Sequence, residues 1–373
     1  VSRRVGLLVL LVVVTACASG RGPKPVKGGE TACVRLAGER QIRGEVMCED
    51  VWSCYRPPFG SVDRIGLRRI GPCEPSTGPV VLYLPGMYMN GEVGGTDANS
   101  DLRLYLAQAG IPTWSLDWRT HAVQPEATPQ DLATLAGWDA DTFAEDAAWA
   151  AGFVRGTDRG PLYVAGFSWG ARAAYALAAR GDEALSGLVI IDGTPASIEP
   201  PAGAQAAMEI GGTPWEERQR LLQTVIASPQ NPSPLPGYRT AGQALADLLW
   251  NAPGFGGPGG LSAARNGVSN VQVLARLLYT YDRWWPRATL GGTPPRPREP
   301  IRVIAFAGEN EGPAWVEAVR AGAVAFGGER ATVRTVPLHG HLDVLAGRLS
   351  AEEVYEPTRR WIMSPGDAAP AQR

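Results

Sequence analysis

Gly166-Phe167-Ser168-Trp169-Gly170 stands between an apolar run, Pro161-Leu162-Tyr163-Val164-Ala165, and an alanine-rich stretch that opens Ala171-Arg172-Ala173-Ala174. A strand that passes into a helix through so short a connection has to turn sharply. At such a turn the serine takes an unfavourable dihedral and is pushed outward, while small residues are needed two positions to either side because the neighbouring backbones close up there. A plain turn in which Ser168 only caps the helix is the competing reading of the same residues. The strand and helix flanks favour an exposed, nucleophilic serine at the top of an α/β sheet.

The remainder of the chain repeats the same alternation. Val80 to Leu84, Ile111 to Leu116, Pro161 to Ala165, Leu188 to Ile191, Ile301 to Ala307 and Ala331 to Val336 read as strands. They are nearly continuous apolar runs, as expected of a mostly parallel sheet covered on both faces. Asp101 to Ala109, Thr142 to Arg155, Ala171 to Arg180 and Ala314 to Ala325 have helical spacing between them. From Thr194 to Pro300 the rhythm breaks into Pro-, Gly- and Trp-rich sequence. Helix-like stretches there, at Glu216 to Ile226, Ala241 to Trp250 and Ser269 to Trp285, read as a cap inserted into the sheet domain.

A serine nucleophile needs a base. Leu338-His339-Gly340-His341-Leu342-Asp343 follows the last expected strand, which puts an imidazole on a loop at a strand's C-terminal end. His341 is preferred because Gly340 lets the chain turn just before it and Asp343 can cap the helix that follows; His339 reads as a loop or supporting residue. His121 lies early in the chain and reads as surface or pocket rim. Other chemistries are excluded by composition. The only lysines are Lys24 and Lys27, so neither a phosphate-binding loop ending in Lys-Ser/Thr nor a Schiff-base lysine exists in the body of the chain. The three histidines lack H-E-x-x-H spacing and the five cysteines form no C-x-x-C, so no metal site and no cofactor are expected. Thirty-five Lys and Arg against 37 Asp and Glu, a net charge of -2, offer nucleic acid no basic field.

On these residues the chain from about Pro79 to Met363 resembles the α/β-hydrolases, with the order nucleophile, acid, histidine. The resemblance implies further roles. Leu84-Pro85-Gly86-Met87 corresponds to the loop after that fold's third strand, and its position implies that the Met87 amide helps bind an oxyanion, with Pro85 in place of the commoner histidine. The Trp169 amide would be the second donor. Asp117-Trp118-Arg119 resembles a structural Asp-x-Arg of many relatives. For the acid, the resemblance selects Glu311 in Gly308-Glu309-Asn310-Glu311, with Asp192 the alternative and Glu309 third. The cap is expected after the sixth strand.

The N-terminus reads as an address. Ser2-Arg3-Arg4 and the apolar run Val5 to Val14 have the layout of a signal peptide over residues 1–16. Val14-Thr15-Ala16-Cys17 resembles the bacterial lipobox, with Cys17 lipidated, 17–30 a flexible tether, and Ala18 compatible with outer-membrane sorting if the host has two membranes. Cys33, Cys48, Cys54 and Cys73 then remain, an even number in an exported chain, and suggest two disulfides in an N-terminal lobe over 31–78. Three pairings are open; Cys33–Cys48 with Cys54–Cys73 is preferred. Residues 79–193 and 301–364 form the expected core, 194–300 the cap, and 365–373 a disordered tail.

The activity expected is that of a serine hydrolase cleaving carboxylic esters at the envelope, its partners an ester substrate and, through the lipid, a membrane. Trp215, Trp250, Trp284, Trp285, Tyr279, Tyr281 and Leu277-Leu278 could line an apolar pocket for a lipid-like or aromatic ester, or simply bury the cap. A serine peptidase or acyltransferase, and a catalytically silent surface-binding protein, are the alternatives.

Overall fold

The computed structural model of the chain describes residues 33–42, 45–92, 98–181, 184–197, 206–210 and 213–364. The expected signal peptide, Cys17, the tether and the tail lie outside them. A nine-stranded sheet organises the molecule. In chain order its strands are β1 (Cys33–Ile42), β2 (Glu45–Tyr55), β3 (Arg64–Gly71), β4 (Val80–Leu84), β5 (Thr113–Asp117), β6 (Leu162–Phe167) and β7 (Leu185–Ile191). Next come β8 (Ala207–Glu209) and β9 (Trp284–Pro286), which pair with each other in the cap, and then β10 (Val303–Gly308) and β11 (Ala331–Val336). Across the sheet the order is β1-β2-β3-β5-β4-β6-β7-β10-β11. From β5 through β11 all pairings are parallel, and β1, β2 and β3 extend that edge in antiparallel fashion.

Burial follows the two-residue period of a strand. Val80, Leu82, Leu84, Leu188 and Ile190 face one layer with the helices Ala140–Thr157, Trp169–Arg180 and Pro313–Gly327. Val81, Tyr83, Val189 and Ile191 face the other, which holds the helices Leu102–Gln108 and Glu356–Met363 and the cap helices Trp215–Ala227, Ala241–Trp250 and Val271–Tyr279. β4, β6 and β10 are buried along their whole length, which is why each reads as an uninterrupted apolar run.

Three expectations are corrected. Residues 31–78 are not a separate lobe: 33–71 supply three strands of the main sheet. The cap follows Leu185–Ile191 as expected, the sixth strand of the fold with Val80–Leu84 as its third, and the seventh in this chain because three strands rather than two precede Val80. The disulfides are Cys33–Cys54 and Cys48–Cys73, not Cys33–Cys48 and Cys54–Cys73. Register is the reason. Cys33 stands directly across from Cys54 in the β1–β2 ladder, whereas Cys48 faces Glu39; Cys48 in turn faces Gly71 of β3, two residues before Cys73. With about 3.3 Å of rise per residue, Cys33 and Cys48 lie roughly 20 Å apart along the strands. In the cap, the helix expected over Ser269 to Trp285 ends at Tyr279, and Trp284 and Trp285 belong to β9.

Buried ion pairs fix the helices to the antiparallel edge. Asp146 accepts from Arg56 at 2.9 Å and from Arg119 at 2.6 Å, and Arg119 also reaches Asp63. Asp117 instead accepts from Arg68 and from the Gly91 amide. Asp117 and Arg119 are thus both structural, as the resemblance implies, through separate partners. No helix among the described residues is long and apolar enough to cross a membrane.

Candidate active site

Strand order and register assemble the site. Phe167 of β6, Ile191 of β7 and Phe306 of β10 lie in one row across three neighbouring strands. The next residue of β6 is Ser168 and of β7 is Asp192, so both leave the sheet side by side at its C-terminal edge. Each keeps one more ladder bond, Ser168 N donating to Ile191 O at 3.0 Å and Asp192 N to Phe306 O at 2.8 Å. Glu311 follows β10 by three residues, and His341 follows β11 by five.

Ser168 occupies the strained turn that its motif implies, with φ 54° and ψ -122° at the N-terminus of the helix Trp169–Arg180. The flanking glycines are needed for space. A Cβ on Gly170 would run into the carbonyl oxygens of Leu84 and Pro85, and one on Gly166 would strike the Gly170 carbonyl. Asp192 is the second strained residue here, at φ 49°.

His341 joins these residues. Its Nε2 lies 2.8 Å from Ser168 Oγ, while its Nδ1 lies 2.6 Å from Asp192 Oδ2 and 3.2 Å from Glu311 Oε1. A neutral ring protonated at Nδ1 donates to the carboxylates and leaves Nε2 free to accept from the serine. Two aromatic side chains pack close to the imidazole, Phe167 at 4.8 Å and Phe255 at 5.2 Å between ring centroids. The His341 amide donates to Gly260 O at 2.7 Å, so the glycine-rich cap segment around residues 254–260 grips the histidine's loop. Asp343 caps the helix that follows by accepting from the Gly340 amide at 3.0 Å, and it additionally accepts from Ser262 and the Ala263 amide.

The two carboxylates are not equivalent. Asp192 is fully buried, and its Oδ1 accepts from the Gly308 amide at 2.7 Å and from Trp315 Nε1 at 3.1 Å. Burial alone would raise its pKa, but the hydrogen bonds with Glu311 and His341, the imidazolium charge and the Gly308 amide outweigh burial and hold it below the usual carboxylate range. Glu311 is pushed far up instead, by burial first and then by its hydrogen bond to Asp192 and the Asp192 charge, against the pull of His341. His341 is pulled down by burial and raised above the ordinary imidazole range by Glu311 and Asp192. Glu309, the third acid considered, is exposed and accepts from the Leu338 amide at 2.9 Å.

The loop implied for the oxyanion also lies at the serine. A Cβ on Gly86 would come within 3.1 Å of Ser168 Cβ, so Pro85-Gly86-Met87 packs against the nucleophile, and Met89 N donates to Gly86 O to close the turn. The Trp169 amide belongs to the first turn of its helix, where N–H groups have no intrahelical acceptor. Trp118 Nε1 holds Pro85 O at 3.0 Å. The remaining histidines stand apart. His339 is buried with Nδ1 donating to Pro337 O. His121 pairs with Asp282 at 2.9 Å; burial lowers its pKa, but the Asp282 hydrogen bond and the Asp117 and Asp282 charges raise it to about 9.

Of the expected residues, Ser168, His341, Asp192 and Glu311 come together. The cap aromatics do not all line a pocket: Trp285 and Leu277 are buried in the two core layers, and Trp284 is tied to Pro125 O. Trp315, the Gly308 amide and Phe255 were not anticipated from sequence. Only the glycine-rich composition around Phe255 hints at a close approach, and nothing local marks the other two.

A serine at a strained strand-to-helix turn, an imidazole on a late loop and a carboxylate at its back, on a sheet of this order, define a class. The chain belongs to the alpha/beta hydrolase family, whose profile matches residues 81–356. Among solved structures it is similar to a candidate lipase from Sulfolobus solfataricus, at 21% identity and TM-score 0.69 over 89% of this chain and 98% of that one. It is also similar to an alpha/beta hydrolase fold protein from Nakamurella multipartita, at 16% identity and TM-score 0.51 over 81% of this chain and 96% of that one. Comparison with curated protein sequences gives no match.

Proposed function

We propose that the protein is a serine hydrolase that cleaves carboxylic esters through an acyl-enzyme. The observation that carries this reading is the alignment of Ser168 Oγ, His341 and Asp192, joined by contacts of 2.8 and 2.6 Å through the two ring nitrogens. Ser168 Oγ attacks the ester carbonyl carbon as His341 Nε2 takes its proton. The carbonyl electrons move onto oxygen, where the Trp169 and Met87 amides stabilise the charge. The C–O bond to the alcohol then breaks and His341 returns the proton to the departing oxygen. Water, deprotonated by the same nitrogen, attacks the acyl-enzyme and releases the acid.

Asp192 is the orienting acid in this proposal, with Glu311 beside it. Asp192 makes the shorter contact and carries the lowered pKa that an ion partner of imidazolium requires. The family membership supports hydrolysis; the ester class rests on the serine chemistry. The decisive test is a fluorophosphonate probe. It should modify Ser168 alone, located by peptide mass, and leave a Ser168→Ala variant unmodified. A folded protein that resists the probe would overturn the reading. Release of acid from acyl esters of graded chain length, without cleavage of aminoacyl amides, then separates an esterase from a peptidase. Export and a lipid on Cys17 belong to the same proposal, and incorporation of an alkyne fatty acid that Cys17→Ser abolishes would support them.

A further inference from the structure

Two buried carboxyl groups converge on one imidazole nitrogen that carries at most one proton. The nearest ligand atoms of Asp192, Glu311 and His341 all lie within 4.8 Å of one another. An N–H donates well to one acceptor, and Asp192 Oδ2, at 2.6 Å, holds that position against Glu311 Oε1 at 3.2 Å. Asp192 also receives the Gly308 amide and the Trp315 indole on its second oxygen, so three N–H donors surround its charge. Among the described residues Glu311 has no comparable shell of N–H donors. The charged groups that face it are His341, 3.2 Å from its Oε1, and Asp192, whose carboxyl oxygen lies within 4.8 Å. Its backbone is roofed by the cap: a Cβ on Gly256 would run into the Glu311 carbonyl, and Phe255 beside it covers the imidazole. Two carboxylates this close and this dry cannot both ionise beside a neutral ring.

We propose that Glu311 is a positioning residue that keeps its proton and donates it to Asp192, so that the resting site is a protonated Glu311, an ionised Asp192 and a neutral His341. This rests on the serine-hydrolase reading and deepens it. Glu311 then acts through Asp192. Its O–H fixes the rotamer of the aspartate and leaves Oδ2 to accept the Nδ1–H. The large upward displacement of its pKa agrees with this distribution of protons.

The arrangement has a signature. With one negative charge on the cluster, the proton sits on Glu311 in the reactive form and on His341 in the unreactive one, while adding a proton gives imidazolium and removing one ionises Glu311 next to a neutral ring. The wild-type site therefore gains one proton below its resting state and loses one above it, so kcat/KM should rise with pH as the imidazolium loses its proton and fall at higher pH as Glu311 ionises and its O–H to Asp192 is lost. Glu311→Gln keeps a hydrogen-bond donor toward Asp192 but removes the titrating proton. It should show a single step, a loss of kcat/KM of less than about tenfold, and a far smaller loss than Glu311→Ala, which has no donor. A readout independent of catalysis is the infrared absorption of a protonated carboxyl. A band that shifts in D₂O should be present in the wild type at neutral pH and missing from Glu311→Gln.

The outcomes separate. Absence of that band in the wild type, or a Glu311→Gln variant as inactive as Asp192→Asn, would refute the proton on Glu311 whether or not the protein cleaves esters. A band that Glu311→Gln removes, in a protein that ignores fluorophosphonate, would uphold the proton assignment and sink the hydrolase reading instead.

Discussion

Replacing Asp192 by asparagine tests the geometry of the site with almost no change in volume. In the native structure Oδ1 accepts from the Gly308 amide at 2.7 Å and the Trp315 indole at 3.1 Å, and Oδ2 accepts from His341 Nδ1 at 2.6 Å. An asparagine can satisfy only one side of this arrangement. Turning its NH₂ toward Gly308 and Trp315 would set N–H against N–H and strand two buried donors, at about 1–3 kcal/mol each. The amide therefore keeps its oxygen on those two and points its N–H at Nδ1. That nitrogen becomes an acceptor, the ring proton moves to Nε2, and Nε2 can no longer take the proton of Ser168. Glu311 cannot compensate, because the Nδ1–H it would need is gone. Removal of base catalysis by a wrong tautomer costs about 10⁴ in turnover, equivalent to about 5.4 kcal/mol of transition-state stabilisation. The assay is kcat/KM on a chromogenic ester together with the rate of fluorophosphonate labelling, both on protein whose thermal midpoint is within a few degrees of wild type. A folded Asp192→Asn variant retaining a tenth or more of wild-type kcat/KM would refute the reasoning and transfer the orienting role to Glu311.

Three further outcomes are expected. Asp146→Ala removes the acceptor shared by Arg56 and Arg119, two buried guanidinium groups, and should lower the urea unfolding free energy by about 3–5 kcal/mol; a change under about 1 kcal/mol would mean that Asp63 and water satisfy both arginines. Gly170→Ala forces a methyl group against the carbonyls of Leu84 and Pro85, so stability should fall by about 1–3 kcal/mol, with kcat/KM falling further than stability explains because the loop bearing Met87 is displaced from Ser168. Non-reducing peptide maps should recover Cys33 joined to Cys54 and Cys48 joined to Cys73, and losing either bridge, each closing a loop of more than 20 residues, should cost about 3 kcal/mol in chemical denaturation.

What could be read from sequence, and what could not, divides along a physical line. The central strands announce themselves because burial on both faces leaves little room for polar residues; β4, β6 and β10 are buried at every position. The antiparallel edge gives no such signal. In β3, half-buried Arg64, Gly66 and Arg68 alternate with buried Ile65, Leu67 and Arg69, and Arg69 is itself buried against Asp158. The cysteines of that region were visible, but spacing along a chain says nothing about which residues a ladder sets opposite each other, so the pairing had to wait for the register.

The site divides in the same way. Ser168 and His341 were legible because the constraint on each is local: a glycine-flanked turn between strand and helix, and a histidine behind a glycine after the last strand. Identifying the acid is a problem of register between strands more than a hundred residues apart in sequence. Ile191 and Phe306 lie side by side in the sheet, so the residue after β7 emerges against the loop that follows β10, and both carboxylates reach the same nitrogen. Sequence logic framed Glu311 and Asp192 as competitors for one role. Their contact makes them parts of one titrating unit, in which the burial that disfavours a second charge also decides which of the two stays ionised. Donors with no motif of their own, the Gly308 amide and the Trp315 indole, add to the pull of His341 on Asp192, and the result turns a choice between two acids into a division of labour between them.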